Sequence, residues 1–432
     1  MLKTIVRQSP QLVSFLVGLQ LVLSKPQMRH VTQMTDALLT CERRKTLSDL
    51  YRQYLVDLDP KAAADCLRES PWQPEDIRGP RCKYMLAQML EFGRLLGYPP
   101  IIWVSIDDSL GKKDKATRHQ DAVDFHHNHT DSTRHKQVYS NGYIYVEVHI
   151  EVGPFGFTFD TRLYLREKTV RRLNRQRGAD QPHLHYRSKY RLTREMLSDL
   201  AELLPKDYPV YVEFDSWYAS EKLIKFCRRQ GWHVICALKF NRTLDGKRVD
   251  LHDQALRHQR YQHVRLNAVD DRPPPHYYVR TIRGHVKGVP GEVCVIISRR
   301  HPGDKRPKYF LCTDLTLSAQ EALRYYQRRW PVEVDNFYLK EALGLSDFRL
   351  QSFEATEKWF AVVLLGMNYL QFQVAQQVVQ SHTRPSLAEV IRQHRLAHAQ
   401  DVLRFIAERV LETRNIEAAL QPFITLDSPA IT

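Results

Sequence analysis

The segment PPIIWVSIDD near residues 98–108 constrains the fold more than any other part of the chain. Apolar residues fill both alternating sets of positions in it, which is typical of a central strand that is buried on both faces of a sheet. The segment YPVYVEFD is a second predicted strand. The first strand ends in Asp107 and Asp108, and the second ends in Asp215. The two segments therefore predict an α/β sheet with carboxylates at the strand ends.

The elements around these two strands follow a characteristic order. Strands are predicted at GYIYVEVHIEV and GFTFDTRLYL, helices near 192–204 and 219–230, and a further strand at WHVICALKF. Three strands in a meander followed by alternating helix and strand is an RNase H-like order. From about 241 to 316 the apolar period becomes two, as in KYFLCTD, which predicts a β-rich insertion.

A third acidic residue lies in the helical pattern that follows the insertion. Tyr326, Arg329, Glu333 and Lys340 stand at relative positions 0, 3, 7 and 14. At about 100° per residue, a continuous helix would place these side chains within an arc of roughly 60°. Pro331 is expected to kink this helix or to start a new one, so the arc is approximate. Two strand-end aspartates and a helical glutamate are the parts of a two-metal phosphoryl-transfer site.

Charge and composition restrict the class of partner. The chain has 432 residues, 43% of them hydrophobic, which excludes a disordered protein and predicts two to four domains. Its net charge of +15 favours nucleic acid as the partner over a merely basic enzyme. Seven scattered cysteines without a CxxC pair suit a reducing cytoplasm. The apolar run at 11–24 is too short for a bilayer and predicts a buried helix, not a membrane anchor.

The chain resembles a known family at these residues. The order Asp…Asp…Glu, the segment FDSWYAS, and YYQRRWPVEVDNFYLKEALGL with its Tyr-x2-Arg-x3-Glu-x6-Lys signature are similar to cut-and-paste insertion-sequence transposases. These belong to the RNase H-like, DDE-type superfamily, and the resemblance covers roughly residues 98–345. It implies a DNA transposase that cleaves element ends and joins them to target DNA by two-metal phosphoryl transfer.

The resemblance also implies roles for single residues and for cofactors. Asp107, Asp215 and Glu333 would be catalytic and would bind two Mg²⁺ ions, for which Mn²⁺ would substitute. Arg329 and Lys340 would contact phosphates beside the scissile bond, and Tyr326 would bond the same backbone. Two alternatives stay open: Asp108 could replace Asp107, since strand neighbours face opposite sides, and Asp215 could be a helix N-cap. Basic residues after the first acids are predicted to bind DNA, namely Lys112 and Lys113.

The predicted fold is α/β: an RNase H-like mixed sheet flanked by helices, interrupted by the β-rich insertion, with helical N- and C-terminal regions. The domains expected are a helical DNA-binding region (1–96), the first part of the catalytic core (97–240), the insertion (241–316), the glutamate helix of the core (317–350) and a helical C-terminal region (351–432). TLSDLYRQYL in the first region predicts either a recognition helix or part of a helical cap on the catalytic domain.

Joining two element ends requires two active sites, so a homodimer on double-stranded DNA is expected, with helices at 354–380 and 386–412 as its contacts. An insertion-sequence enzyme would be prokaryotic, cytoplasmic and nucleoid-associated. Trp217 and Trp330 are expected to pack in the core. The cluster around His126, His127 and His129 lacks zinc-site spacing and favours a loop at DNA. Two other functions remain: an inactive transposase-derived DNA-binding protein, and a stand-alone metal-dependent nuclease.

Overall fold

The computed structural model describes residues 3–133, 135–178, 181–268 and 273–423. The helices are α1 (Pro10–Gly18), α2 (Lys25–Thr40), α3 (Leu47–Tyr51), α4 (Pro60–Arg68), α5 (Pro74–Leu95), α6 (Glu167–Gln176), α7 (Lys189–Leu203), α8 (Glu221–Arg229), α9 (Val249–Ala255), α10 (Ala319–Gln327), α11 (Trp330–Phe337), α12 (Phe353–Ser381), α13 (Leu387–Thr413) and α14 (Ile416–Leu420). A π-helical turn spans Tyr338–Ala342, and 3₁₀ turns span Leu345–Asp347 and Gln421–Phe423.

The strands are β1 (Ile102–Lys112), β2 (Asp124–His127), β3 (Tyr139–Val152), β4 (Phe155–Tyr164), β5 (Val210–Phe214), β6 (His233–Leu238), β7 (Thr243–Leu244), β8 (Lys247–Arg248), β9 (Gln262–Arg265), β10 (His276–Gly284), β11 (Val293–Arg299) and β12 (Lys308–Cys312). Within the described residues, ten of them form one sheet, and β7 and β8 form a separate ribbon.

The centre of the sheet has the strand order predicted from the sequence. β1 lies between β3, to which it is antiparallel, and β5, to which it is parallel; β5 is in turn parallel to β6. β4 returns antiparallel along β3. The predicted RNase H-like mixed sheet, flanked by helices and with helical N- and C-terminal regions, is confirmed.

Both faces of the central strands are covered, because their apolar residues occupy both alternating sets of positions. Trp103 and Tyr211 belong to one core together with Leu323 of α10. Val104 and Val212 point to the other face, where the larger core includes residues of α7 and α8. A strand that is buried on both faces holds its neighbours in fixed register. The acids that follow the paired residues of β1 and β5 are therefore held in fixed positions relative to each other.

The strands of the insertion continue the same sheet. β12 pairs antiparallel with β6, and β11, β10 and β9 follow it outward. The register places Cys312 opposite Ile235, and both side chains are buried. The segment 241–316 is thus joined to the RNase H-like strands through backbone hydrogen bonds and a shared hydrophobic core.

The N- and C-terminal helices pack on one another. α12 is buried along most of its length and contacts α2, α4, α5 and β4. The helix predicted at TLSDLYRQYL is only the five-residue α3, in which Leu50 and Tyr51 are buried. Five residues make fewer than two helical turns, which is too short to lie along a major groove as a recognition helix. The packing matches the alternative of a helical cap. None of the described helices has the length and apolar character needed to cross a bilayer.

Candidate active site

The first two acids leave neighbouring strands at the same level. The parallel register of β1 and β5 pairs Ile106 with Phe214. Asp107 and Asp215 follow directly, where the two backbones are about 4.8 Å apart. β1 does not end at Asp108 as predicted, because it continues to Lys112 along β3. Asp107 instead marks the point at which β1 loses its parallel neighbour.

Asp107 and Asp108 have different partners. Oδ2 of Asp107 accepts a hydrogen bond from Nη1 of Arg329 at 3.2 Å. The carboxylate of Asp108 accepts bonds from Nζ of Lys189 at 2.6 Å and from the hydroxyl of Tyr218 at 2.9 Å. Since consecutive side chains of a strand point to opposite faces, the two carboxylates lie on different sides of the sheet. Asp107 is the one on the side of α11, which carries Glu333.

The turn after β5 uses one carboxylate oxygen of Asp215. Oδ1 accepts the backbone N–H groups of Trp217 at 2.9 Å and Tyr218 at 3.1 Å. The N-cap of the next helix is Ser220, whose side chain accepts the N–H of Leu223. The alternative in which Asp215 caps this helix is therefore wrong. Among the described residues, Oδ2 of Asp215 has no hydrogen-bond partner.

The glutamate helix predicted within 317–350 is divided into three pieces. α10 ends at Gln327, α11 begins at Trp330, and the π-helical turn follows α11. Pro331 lies in the first turn of α11, where its missing N–H leaves no helical hydrogen bond unmade. The predicted start of a new helix at this proline is confirmed, and a continuous helix with a 60° stripe is wrong. Local π-helical geometry of this kind occurs often at functional sites.

Arg329 lies in the link between α10 and α11 and joins two of the three acids. Besides its bond to Asp107, its Nη2 donates to the carboxylate of Glu333, which lies one turn further along. The guanidinium is mostly buried in this position. It fixes the start of α11 against β1 and holds Glu333 on the side of the sheet where Asp107 lies.

Negative charge is concentrated around Asp107. Burial, together with the nearby charges of Asp108 and Asp215, raises the pKa of Asp107 to about 6 against the opposing charge of Arg329. Glu147 lies directly across the strand pair and is fully buried. Neither of its carboxylate oxygens has a hydrogen-bond partner among the described residues. Carboxyl groups that crowd one another in this way favour the binding of a cation.

Two more residues of the signature border the acids. Nζ of Lys340 donates to the hydroxyl of Ser109 at 3.0 Å, just past the acids on β1. The ring of Tyr326 packs on Phe310, with their centroids 4.9 Å apart, and lies 6.0 Å from the guanidinium of Arg329. Although the helix is broken, all four residues of the signature surround one edge of the sheet.

Comparison with known sequences finds a family that matches part of the chain. Residues 184–369 match the family described as the transposase DDE domain. The matched segment, 186 of the 432 residues, is similar to the DDE domain of transposases. The matched segment contains Asp215 and Glu333, while Asp107 lies upstream of it. Among solved structures, the chain is similar to the piggyBac transposase in a synaptic complex with hairpin DNA, at 11% identity and a TM-score of 0.47, covering 99% of this chain and 84% of that chain. No curated protein matches.

Two residues predicted to bind DNA do not lie with the other predicted site residues. Lys112 is about 16 Å along β1 from Asp107 at roughly 3.3 Å per residue, and it pairs with Asp131 at 2.8 Å. Nζ of Lys113 lies 3.7 Å from the centroid of the Phe348 ring. Burial lowers the pKa of Lys113 to about 8. Of the two, Lys112 is exposed to solvent, with its ammonium group paired to Asp131.

Sequence reasoning missed a set of polar residues that holds α11 in place. Glu147, His149 and Glu151 occupy every second position of β3 and are all buried. Nδ1 of His149 lies 2.6 Å from Oδ2 of Asp335, and Glu151 accepts a bond from Arg328 at 3.0 Å. The signal was present as E-V-H-I-E within an otherwise apolar strand, since polar residues at period two mark one face.

The expectation that Trp330 packs in the core is wrong. Its side chain is 55% exposed and lines a cavity of about 530 Å³ beside Arg329, together with Tyr277 and other residues of the insertion. Trp217 does pack, since its ring stacks on Tyr190 with centroids 4.7 Å apart. The candidate site therefore has an open aromatic rim on the side of the insertion.

The histidine cluster does not form a metal site in the part of the chain that the structure describes. His126 is buried in β2, and burial lowers its pKa to about 4. The rings of His127 and His129 contact each other with centroids 4.3 Å apart, and His135 is exposed. No carboxylate or thiol completes a ligand set around them.

Proposed function

We propose that this chain is a cut-and-paste DNA transposase that cleaves the ends of an insertion sequence and joins them to target DNA by two-metal phosphoryl transfer. The observation that carries the proposal is the arrangement of Asp107, Asp215 and Glu333 at one sheet edge, with Arg329 between two of them. The match to the transposase DDE domain supports it.

The residues present fit divalent metal ions. Asp107, Asp215 and Glu333 offer only carboxylate oxygens, the ligand type that Mg²⁺ prefers and Mn²⁺ accepts. Oδ2 of Asp215 has no hydrogen-bond partner among the described residues. The negative charges around Asp107 repel one another, and a bound cation would offset this repulsion. When bound, two such ions activate the attacking hydroxyl and stabilise the leaving oxygen.

The cationic residues of the signature would orient the DNA backbone. Arg329 presents a planar fork of N–H donors, which suits two oxygens of one phosphate as well as it suits the carboxylates it contacts. Lys340 is held near the acids by Ser109 and supplies a second charge. The hydroxyl of Tyr326 adds a hydrogen bond to the same strand. Together these residues would hold the scissile phosphate in line with its nucleophile.

A second basic surface lies on the helical cap. A cavity of about 730 Å³ opens between α3, α4 and the segment 348–351. Arg44, Lys61 and Arg349 line it, and none of the three forms an ion pair within the described residues. Unpaired cations around a concave surface attract the phosphate backbone. We assign to this surface the DNA binding expected of region 1–96, although α3 itself is not a recognition helix.

The contact between two protomers would involve α13. α12, the other predicted contact, is buried along most of its length and is not available. α13 leaves Leu396, Leu403 and Leu411 exposed, at spacings of seven and eight that place them on one face. A second copy of this helix is the occupant that a paired-end mechanism requires. The enzyme would act as a homodimer on double-stranded DNA.

The site of action follows from the substrate. An enzyme that moves an insertion sequence in a prokaryote would work on the chromosome, in the cytoplasm and at the nucleoid. All seven cysteines are buried free thiols, which agrees with a reducing compartment.

The test is cleavage of a labelled duplex that carries the element's own end, in the presence of Mg²⁺. Wild type is compared with Glu333→Gln and with the matched control Glu202→Gln, an exposed glutamate near the end of α7. We expect end-specific cutting by wild type and the control, and none by Glu333→Gln. Equal cutting by Glu333→Gln contradicts the catalytic assignment.

Two further outcomes would favour the other functions. Binding of the end without cutting, in Mn²⁺ and with paired ends as well, favours a transposase-derived DNA-binding protein. Cutting of any DNA or RNA regardless of the end favours a stand-alone nuclease.

A further inference from the structure

A second group of metal-ligating side chains lies far from the acids of the sheet, where α2 meets α13. Nε2 of His394 and Nε2 of His398 lie 2.8 Å and 2.9 Å from the same atom, Oδ1 of Asp36. All three side chains are almost completely buried. None of them contributes to the site proposed for DNA cleavage.

The local structure explains this convergence. His394 and His398 are four residues apart on α13 and therefore project from one face of the helix. That face packs on α2, which carries Asp36. The other oxygen of Asp36, Oδ2, accepts the backbone N–H of Ser9 at 3.0 Å, which fixes the plane of the carboxylate. The ring of Tyr369 closes the group from α12, 5.7 Å from the His394 ring.

Asp36 is unusual because a buried carboxylate normally has a cationic partner. Within the described residues no lysine or arginine forms an ion pair with it, and the two histidines are its only ionisable partners. A cation bound between the carboxylate and the two imidazoles would supply positive charge at this buried position.

We propose that Asp36, His394 and His398 bind a divalent transition-metal ion of the zinc class. The three ligand atoms lie within 4.8 Å of one another. A zinc ion needs nitrogen and oxygen ligands at about 2.0–2.2 Å, so the atoms would move apart by only roughly 0.5 Å from their hydrogen-bond distances. Imidazole ligands select zinc or a similar ion over Mg²⁺. A water or a hydroxyl oxygen fills the fourth position.

The ion would connect the two ends of the chain. α2 belongs to the N-terminal helical region and α13 to the C-terminal one, separated by more than 350 residues in sequence. A metal between them closes this long loop and holds α13 in the orientation that exposes its leucine face. The opposing explanation is a metal-free clasp in which each imidazole donates its Nε2–H to Asp36.

Metal analysis of the full chain distinguishes the two explanations. The protein is purified without chelators, incubated with Zn²⁺, dialysed in Mg²⁺ buffer, and its zinc content is measured by mass spectrometry. We expect about one zinc per wild-type chain and at least a tenfold loss in Asp36→Asn and His398→Gln. Both variants keep hydrogen-bonding groups for a clasp. The control Glu412→Gln removes an exposed ion pair of α13 with Arg409, 3.1 Å long, and should leave zinc content unchanged.

A measurement on wild type alone protects the test against variants that fail to fold. The protein is stripped with 1,10-phenanthroline and titrated with Co²⁺. Visible d–d absorption that saturates at one equivalent supports the site, as does a fall in the thermal midpoint on stripping. Folded wild type that retains less than about 0.1 equivalent of zinc and shows no cobalt spectrum overturns it. Neither readout depends on DNA cleavage, so the proposed function stands or falls separately.

Discussion

Arg329 donates a hydrogen bond of 3.2 Å to Asp107 and thereby ties the link between α10 and α11 to the central strand β1. The same guanidinium contacts Glu333. A residue that contacts two of the proposed metal ligands and also suits a phosphate has to exchange partners when DNA binds. Its removal should therefore affect catalysis more than folding, since the sheet and α11 keep their other contacts.

Replacing Arg329 by alanine should reduce DNA cleavage by at least about 100-fold, the usual cost of losing one preorganised charged donor. Arg329→Lys should recover only part of this, because lysine lacks the planar fork. Single-turnover cleavage of a labelled element end measures the effect. Arg324→Ala, on the exposed surface of α10, is the control and should stay within about threefold. An Arg329→Ala enzyme as active as this control would remove Arg329 from the site.

Asp107→Asn and Asp108→Asn should differ in their cost. Loss of a metal-binding carboxylate should lower cleavage by at least about 10³-fold, or about 4 kcal/mol. Asp108 is paired with Lys189 at 2.6 Å and with Tyr218 at 2.9 Å, so its amide should cost only about tenfold through local distortion. The two variants are compared at saturating Mg²⁺ on the same substrate. The reverse order would identify Asp108 as the ligand.

The choice between Asp107 and Asp108 also shows which features of the site can be predicted from the sequence. Strand alternation establishes that Asp107 and Asp108 face opposite sides, but the side that matters depends on which face α11 covers. That choice is made by long-range contacts such as the one between His149 and Asp335. A local pattern contains no information about such contacts, whereas Pro331 acts on its own helix and was predictable.

The same reasoning applies to the fold. The order of the central strands along the chain can be predicted because each strand shows an apolar pattern within its own segment. The extension of β1 to Lys112 depends on its pairing with β3, and the continuation of the sheet into the insertion depends on β12 reaching β6. These pairings use backbone hydrogen bonds, which every residue other than proline can form. The side-chain pattern therefore does not identify the partner strand. Domain limits drawn from composition therefore stay predictions.

Removal of charge from the basic cavity should weaken DNA binding without base preference. In the triple variant Arg44→Gln, Lys61→Gln, Arg349→Gln, the slope of log K against log salt should fall by about 2.7 in magnitude if each residue neutralises one phosphate. Titrations by fluorescence anisotropy between low and moderate salt measure this slope. Lys206→Gln, an exposed lysine outside the cavity, is the control and should leave the slope nearly unchanged. An unaltered slope in the triple variant would exclude the cavity from DNA contact.

A charge on the exposed face of α13 should prevent pairing of protomers. Leu403 is 67% exposed, so Leu403→Glu should leave the fold intact while placing two carboxylates in the proposed contact. Mass photometry with end-bearing DNA should then show complexes of one protomer with one end, instead of two protomers with two ends. Leu251→Glu is the control, because it makes the same change at an exposed leucine of the insertion. It should leave the dimer unchanged. A Leu403→Glu dimer of normal stability would place the contact elsewhere.

Asn368 should be among the most costly positions for stability. On α12 its Oδ1 accepts a bond from Nη1 of the buried Arg81, and its Nδ2 donates to the carbonyl of Thr158 at 2.9 Å. Asn368→Ala leaves a buried guanidinium donor and a buried carbonyl without these partners. The free energy of unfolding should fall by about 2–4 kcal/mol.

Urea unfolding followed by circular dichroism measures this loss. Gln377→Ala is the matched control on the same helix, because its amide bonds to Gln393 at 2.8 Å near the surface. It should cost less than about 1 kcal/mol, since water replaces a solvent-accessible hydrogen bond. Equal losses in Asn368→Ala and Gln377→Ala would mean that Arg81 finds other acceptors, such as the carbonyl of Phe159 at 2.8 Å.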